Sequence, residues 1–302
     1  GGQQLKPLKE HFMSTKNFSA VWIKSREPYD TRSRSKILCN LYKNNKEVFQ
    51  NILDLGGGTG SFLRWCHANN IEYDRFLITD HNQTLLNRFY VISKKFFSEE
   101  HINFIKHSDL SYLLERKKTQ KISIINLKKQ EIMKTMESIN NYNLISLSAV
   151  SDLLSKDYIK KLLDKVHEGK YIYFSICFDG NVKWKRSNKY DKYVISMFNK
   201  HQLQQKTLGM ALGSNSIKII KEMSLKRKYK VTMADSSWIL QSDSSDSRDF
   251  QLSYLNTIYR PLKKYELIDS AILNEWFIMR SKDIQLKKSE IRVGHKDLLI
   301  KT

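Results

Sequence analysis

Asn51-Ile-Leu-Asp-Leu-Gly-Gly-Gly-Thr-Gly-Ser-Phe62 is the stretch that decides the fold. A short apolar strand runs into glycines at alternate positions, Gly56, Gly58 and Gly60, with Gly57 between the first two, and then into a helical pattern. Glycine there lets the backbone bend sharply and lets a ligand approach the main chain, and Asp54 sits just before the turn. A dinucleotide fingerprint wants its third glycine three residues after the second, to seat a pyrophosphate on a helix N-terminus. That position is Ser61. The spacing therefore points to a cofactor with no phosphate to cradle, the plain alternative being a tight turn.

Working outward, Arg75-Phe-Leu-Ile-Thr-Asp80 is an apolar strand ending in a carboxylate about twenty residues after the loop, where an α/β nucleotide fold positions an acid for ribose hydroxyls. Asp80 is the expected ribose ligand, with His81 beside it. Asn103-Phe-Ile-Lys-His-Ser-Asp109 reads as a third strand, again ending in an acid and followed by Leu110. Tyr142 to Ser148 reads as the fourth strand, with Ser151-Asp152 capping a helix through His167 that Gly169 stops. Lys170 to Phe178 is a near-continuous apolar run, as expected for a fifth strand buried on both faces. Residues 11–48 read as mainly helical with a break at Glu27-Pro28, residues 214–225 as a helix, and residues 228–233 and 291–300 as the last strands. The expected architecture is α/β and Rossmann-like, with a seven-stranded, mostly parallel sheet. An N-terminal helical lid spans 1–48, and the main domain 49–302 carries a lid insertion at 180–212 and a helical insertion at 241–288.

The 302 residues, 40% of them hydrophobic, suffice for a substantial core. No apolar run approaches membrane-spanning length and no leader pattern is present, so a cytoplasmic protein is expected. Gly1-Gly2 in place of an initiator Met reads as the scar of a removed tag. Cys39, Cys66 and Cys177 are odd in number and widely separated, which implies reduced thiols and no metal site. The net charge of +21 attracts phosphates, which makes nucleic acid a possible partner. The basic residues are nonetheless scattered over polar helix faces, and no appended RNA-binding module is visible.

Trp22-Ile-Lys-Ser-Arg-Glu-Pro28 with Arg32-Ser-Arg-Ser35, the Leu53 to Ser61 loop, Phe198-Asn-Lys-His-Gln202, Ala211-Leu-Gly213, Ser236-Ser-Trp238 and Val293-Gly-His-Lys-Asp-Leu-Leu299 together resemble a bacterial family of class I S-adenosylmethionine-dependent methyltransferases. The resemblance spans nearly the whole chain. It implies S-adenosyl-L-methionine as cofactor and S-adenosyl-L-homocysteine as product, with Asp54, Gly56, Gly57, Gly58, Gly60, Asp80 and His81 around the cofactor, Asp109 and Leu110 at its adenine, and Ser148 at the fourth strand end. The basic segment Lys183-Trp-Lys-Arg-Ser-Asn-Lys189 departs from the acidic or neutral one expected of that family.

Substrate chemistry is sought beyond the loop. Phe198-Asn199-Lys200-His201-Gln202 follows the fifth strand, and His201, with Asn199 as partner, is the candidate base for the proton released as an oxygen or nitrogen attacks the methyl group; bracing a helix is its alternative role. Arg26 can grip a carboxylate, of the cofactor's methionine or of the acceptor, whereas Arg32 and Arg34 read as a solvated face. Trp22, Asp179, Phe198 and His295 are candidate acceptor contacts, with packing as the alternative for Trp22 and His295. The position after the fourth strand lacks the Asn-Pro-Pro-aromatic and Asp-Pro-Pro-aromatic signatures of amino-methylating nucleic-acid enzymes, which favours a small-molecule acceptor. An RNA methyltransferase and an inactive cofactor-binding or scaffolding protein remain the alternatives.

Overall fold

The protein is described by a computed structural model covering residues 15–206 and 209–302. The strands are β1 (Asn51–Leu55), β2 (Arg75–Asp80), β3 (Ile102–Ser108), β4 (Ser111–Arg116), β5 (Ile122–Lys129), β6 (Leu144–Ser148), β7 (Tyr171–Trp184), β8 (Gln205–Lys206), β9 (Gly209–Met210), β10 (Lys230–Asp235), β11 (Trp238–Leu240) and β12 (Ile291–Lys301). Ten of them form one sheet in the order β10-β12-β7-β6-β1-β2-β5-β4-β3, with β11 paired to β12. The central strands β5, β2, β1, β6 and β7 are mutually parallel. Antiparallel strands extend both sides: β12, β10 and β11 beyond β7, and the β3–β4 hairpin beyond β5. The arrangement is Rossmann-like, with ten strands where seven were expected.

Helices cover both faces because the strand residues alternate. On β1, Ile52 faces one layer and Leu53 and Leu55 the other. The first layer is α2 (Ile37–Asn44), α3 (Ser61–Ala68), α4 (Gln83–Leu86) and α5 (Phe89–Ser98), whose Phe62, Trp65 and Phe89 pack with Ile52, Phe76 and Tyr173. The second is α6 (Lys156–Lys165) and α8 (Ser216–Lys226), which bring Tyr158, Leu162 and Ile220 against Leu147, Phe174 and Leu298. A third cluster lies where β7 and β12 run on past the sheet, pairing Val182 with Val293 and Trp184 with Ile291. It is closed by α7 (Asp191–Gln202), α9 (Ser245–Lys264) and α10 (Ser270–Gln285). Arg280 and Trp276 of α10 both donate to the Asp191 carboxylate at the start of α7, tying this cap together.

Three expectations are corrected. The strand at 102–108 is not the third parallel strand; it is the outer arm of the β3–β4 hairpin, and β5 takes the place beside β2. The near-continuous run Ile122-Ser-Ile-Ile-Asn-Leu127 suits a strand with neighbours on both sides, whereas β3 is largely exposed. Helix α1 (Thr15–Ser33) runs through Pro28 without a break and ends only at Ser33. The cap of α6 is Ser155, whose hydroxyl accepts from the Tyr158 N–H at 3.1 Å; Ser151 belongs to a separate short turn.

Candidate functional site

The glycine loop sits at the C-terminal end of β1, in the crevice where β6 and β2 depart to opposite sides, which is where open α/β sheets bind ligands. Its four glycines divide into two kinds. A Cβ on Gly57 would lie 2.5 Å from Asp54 Oδ2, and one on Gly60 2.6 Å from the Phe89 ring, so both are required by internal packing. At Gly56 and Gly58 the nearest atoms to such a Cβ are at 3.4 Å and 3.6 Å, ordinary contact distances, yet φ is +68° and +54°; there glycine serves the turn.

Asp54 is fully buried beneath this loop, and neither of its carboxylate oxygens has a well-aligned hydrogen-bond partner among the described residues. Burial pushes its pKa up to about 7, against the opposing pull of the Arg34 charge and of the neighbouring Ser146 hydroxyl. Asp80, at the end of β2, accepts from the Gly58 N–H at 2.9 Å and from the Asn82 N–H at 2.8 Å. Its pKa is raised by burial, partly offset by the Asn82 N–H and the His81 charge. His81 is largely exposed beside it, 3.5 Å from Oδ1.

Arg34, expected on a solvated face, is 4% exposed. The chain turns inward where α1 ends, and the guanidinium lies 5.3 Å from the ring centres of both Phe62 and Trp65. Nη2 donates to Ser148 Oγ at 3.1 Å and Nε to Ser175 Oγ at 3.5 Å, and the two hydroxyls are 2.8 Å apart. Asp297 of β12 holds this turn, accepting from Ser35 N–H at 2.9 Å, Tyr173 O–H at 2.7 Å and Ile176 N–H at 2.9 Å. Ile176, within β7, is held at φ +52°, and Ala149, just past the end of β6, at φ +55°, both unusual for residues with a Cβ. Reading residues 30–35 as continuing helix, in which every third or fourth charge points to water, misplaces Arg34.

Helix α1 lies across the crevice. Glu27 receives both Nε and Nη2 of Arg64, at 2.7 Å and 3.0 Å, and the same guanidinium donates to the Thr59 carbonyl inside the glycine loop. Arg26, the expected carboxylate grip, donates instead to Asp30 through Nε and Nη2, and its guanidinium stands 4.9 Å over the Trp238 ring. Trp238 Nε1 also donates to Asp30, so this end of α1 is fastened to the cap.

The remaining expected residues separate. Ser148 is in the crevice, on Arg34. Asp109 projects from the β3–β4 turn, 91% exposed, its pKa lowered by the hydrogen bond and charge of Lys106 at 2.8 Å; Leu110, next to it, is also exposed. Their expected place belonged to a third parallel strand that lies at 122–129 instead. Trp22 stacks on Phe250 at 5.1 Å, and the His295 ring lies 4.8 Å from Trp238 and 6.1 Å from Phe178, which neighbours Phe198 at 6.4 Å. These rings form the inner wall of the cap. Burial lowers the His295 pKa to about 3, with the Arg26 charge adding to it, so the imidazole is neutral, and its Nδ1 has no partner among the described residues. Asp179 binds Asn181 N–H at 2.9 Å at the bend of β7. Asn199 donates to the Gly180 carbonyl at 2.9 Å, whereas His201, in the last turn of α7, meets Gln204 Nε2 at 2.9 Å and the Tyr265 ring at 5.2 Å. Asn199 and His201 thus serve different neighbours. No cluster of metal-ligating side chains occurs among the described residues, and no described helix is long and apolar enough to cross a membrane.

No family model matches the chain, and no curated protein does. Among solved structures it is similar to the YcgJ protein of Bacillus subtilis (TM-score 0.43, 9% identity, 87% of this chain and 96% of that one). A putative methyltransferase of Bacillus halodurans gives TM-score 0.43 at 7% identity, over 88% and 97% of the two chains. A methyltransferase of Geobacter sulfurreducens in complex with S-adenosyl-L-homocysteine gives TM-score 0.39 at 10% identity, over 91% and 97%. Likenesses this distant carry no functional weight beside this chain's own strand order and side chains.

Proposed function

We propose that the chain is an S-adenosylmethionine-dependent methyltransferase. The observation that carries this is the glycine loop, turned through positive φ at Gly56 and Gly58, with a buried carboxylate that has no well-aligned partner beneath it at Asp54 and the Asp80 carboxylate at the end of the adjacent strand. These groups fit a nucleoside with a charged amino-acid tail and offer no cluster of donors for phosphates. The bound cofactor supplies a methyl group already activated by positive sulfur. Asp80 would receive ribose hydroxyls through its unused lone pairs, Asp54 would serve the ammonium, and the loop backbone would allow close approach. The chain's further task is to align the acceptor and exclude water, for which the aromatic wall of Trp22, Phe178, Phe198, Trp238 and His295 is suited. The neutral His295 fits there as a hydrogen-bond acceptor.

A small-molecule acceptor is favoured by the absence of a nucleic-acid signature after β6 and by the closed, aromatic build of the cap. RNA is favoured by the exposed Lys183 near the end of β7, with Lys185 and Arg186 just past it, together with the net charge of +21. Calorimetry with S-adenosylmethionine and S-adenosylhomocysteine tests the cofactor. Gly58→Phe should abolish binding, and Asp80→Ala should weaken it by about 1.5–3 kcal/mol, the scale of hydrogen bonds to a charged group. Unchanged affinity in both variants would refute the assignment. Labelled methyl transfer into metabolite extract, with and without ribonuclease, separates the two acceptor classes.

A further inference from the structure

Helix α2 turns Ile37, Asn40, Leu41 and Asn44, spaced three and four residues apart along one face, toward the sheet. Beyond β7 the sheet continues through β12 and β10, and a cavity of about 310 Å³ lies between that helix face and these strands. Its volume is at the low end of the range for small-molecule sites. It opens beside Tyr171, at the start of β7, and so at the opposite end of the parallel strands from the glycine loop. The floor is apolar, and the charge at the rim has one sign. Lys230 and Lys301 are direct partners across the antiparallel β10–β12 ladder, so their side chains leave the same face of the sheet side by side. Neither has a carboxylate partner among the described residues, and no acid lines the cavity. Like charges placed directly opposite disfavour the fold. A lysine on the edge strand β10 guards that edge against another chain, but Lys301 belongs to β12, which has β7 and β10 on its two sides. Edge protection therefore does not account for the pair, whereas an anion held between the two ammonium groups does.

We propose that this cavity is a ligand site separate from the crevice, built for a small amphipathic carboxylate. Its ring or short apolar chain lies against Ile37, Leu41, Tyr171 and Leu299, and its carboxylate lies between Lys230 and Lys301. The inference does not draw on the cofactor assignment. An apolar body is needed because a bare anion would leave the floor in water, and a charge is needed because the lysines would otherwise face each other unrelieved. The site also bears on the strap. Asp297, two residues before Leu299, holds the N–H of Ser35, two residues before Ile37. An occupant therefore clamps α2 to β12 beside the turn that carries Arg34.

Calorimetry on the full chain with four probes tests this: indole-3-acetate and octanoate, the uncharged indole-3-acetamide, and inorganic phosphate, which has charge but no apolar body. At least one carboxylate should bind with a Kd of about 1 mM or lower, and the amide and phosphate at least about tenfold more weakly. Replacing both lysines, Lys230→Met with Lys301→Met, should weaken the carboxylate by at least about tenfold. The same double variant should melt no lower than the wild type, since it removes a like-charge pair. Asn40→Trp, at an exposed position of α2 that lines the cavity, should fill it and abolish binding of the carboxylate. If the lysine variant proves unfolded by its melting curve, Asn40→Trp alone locates the site. No saturable binding of either carboxylate, equal affinity for indole-3-acetate and its amide, phosphate bound as tightly as the carboxylates, or wild-type affinity in Asn40→Trp overturns the proposal.

Discussion

Removing Glu27 should loosen the glycine loop from a distance. Arg64 is 2% exposed and Glu27 17%, and the pair is bidentate at 2.7 Å and 3.0 Å. With Glu27→Ala the guanidinium keeps Thr59 and Ser93 as neutral acceptors but loses its counter-charge while still buried. Breaking one side of a buried pair costs about 3–5 kcal/mol, and the partial exposure of Glu27 admits water, so about 3 kcal/mol is expected. At about 2.1 cal/mol/K of unfolding entropy per residue, the 302 residues give about 1.6 °C per kcal/mol, so Tm should fall by about 5 °C. Because the same Arg64 holds the Thr59 carbonyl, S-adenosylhomocysteine affinity should fall as well, by about 5- to 30-fold if 1–2 kcal/mol of loop order is lost. Thermal unfolding and calorimetry on Glu27→Ala, Arg64→Leu and the double variant measure this. A fall in Tm under about 2 °C, or a coupling energy within the roughly 0.5 kcal/mol expected of independent sites, would show that the pair holds neither helix nor loop.

The loop glycines, Asp54 and His295 each offer a separate test. Gly57→Ala should destabilise the fold, since its Cβ would meet Asp54 Oδ2 at 2.5 Å and Ile78 Cγ2 at 2.8 Å, whereas Gly58→Ala meets no such clash and should cost only about 1–2 kcal/mol for its φ of +54°; equal melting temperatures would contradict the division of the loop glycines. Asp54, at about 7 in the folded chain against about 3.9 unfolded, holds its proton longer when folded, so ligand-free stability should fall by about 4 kcal/mol as pH rises from about 4 to 7; urea unfolding of Asp54→Asn at both ends of that window should show this slope gone, and an unaltered slope refutes it. His295 acts in the opposite sense: with a folded pKa of about 3 against about 6.5 unfolded, it binds its proton more readily unfolded, so its contribution is intact above about pH 6.5 and is lost as pH falls toward 3. His295→Phe should retain more of its neutral-pH stability at pH 4 than the wild type does, and an acid unfolding midpoint unmoved by the change would disprove it.

Local features of the fold are legible in the sequence. β1, its glycine loop, β2 and β6 each carry an apolar run bounded by turn residues and form within a few residues of their expected places, whereas β7 begins as expected but runs on to Trp184, into the stretch read as the start of an insertion. The third parallel strand is easily misplaced because Asn103 to Asp109 and Ile122 to Leu127 are similarly short, and an acid at the end of the first outweighs the more continuous burial of the second. Arg34 escapes a reading of the sequence because its surroundings are assembled from residues 62, 65, 148 and 175, which no spacing pattern connects. Arg26 and Arg34 look alike as arginines of one N-terminal segment, and only the structure shows Arg26 paired with Asp30 and Arg34 turned inward. The aromatic cap is visible as composition but not as shape, since Trp22 and Phe250 meet across most of the chain.

The fastening of α1 also governs the order in which the chain assembles. Asp30 near its C-terminal end is 208 residues from Trp238, and Ser35 just beyond it 262 from Asp297, so these two fastenings wait for β11 and for β12, which lies between β7 and β10. Until then the helix, polar in average character, has its Glu27–Arg64 pair to hold it, while β1, β2 and β6 are already able to pair. On a ribosome, the crevice would exist before its strap, and a nucleoside arriving early would meet an uncovered loop. Loss of β12 by truncation should therefore release the turn after α1 by removing the Asp297 anchor of Ser35, although the two are far apart in sequence.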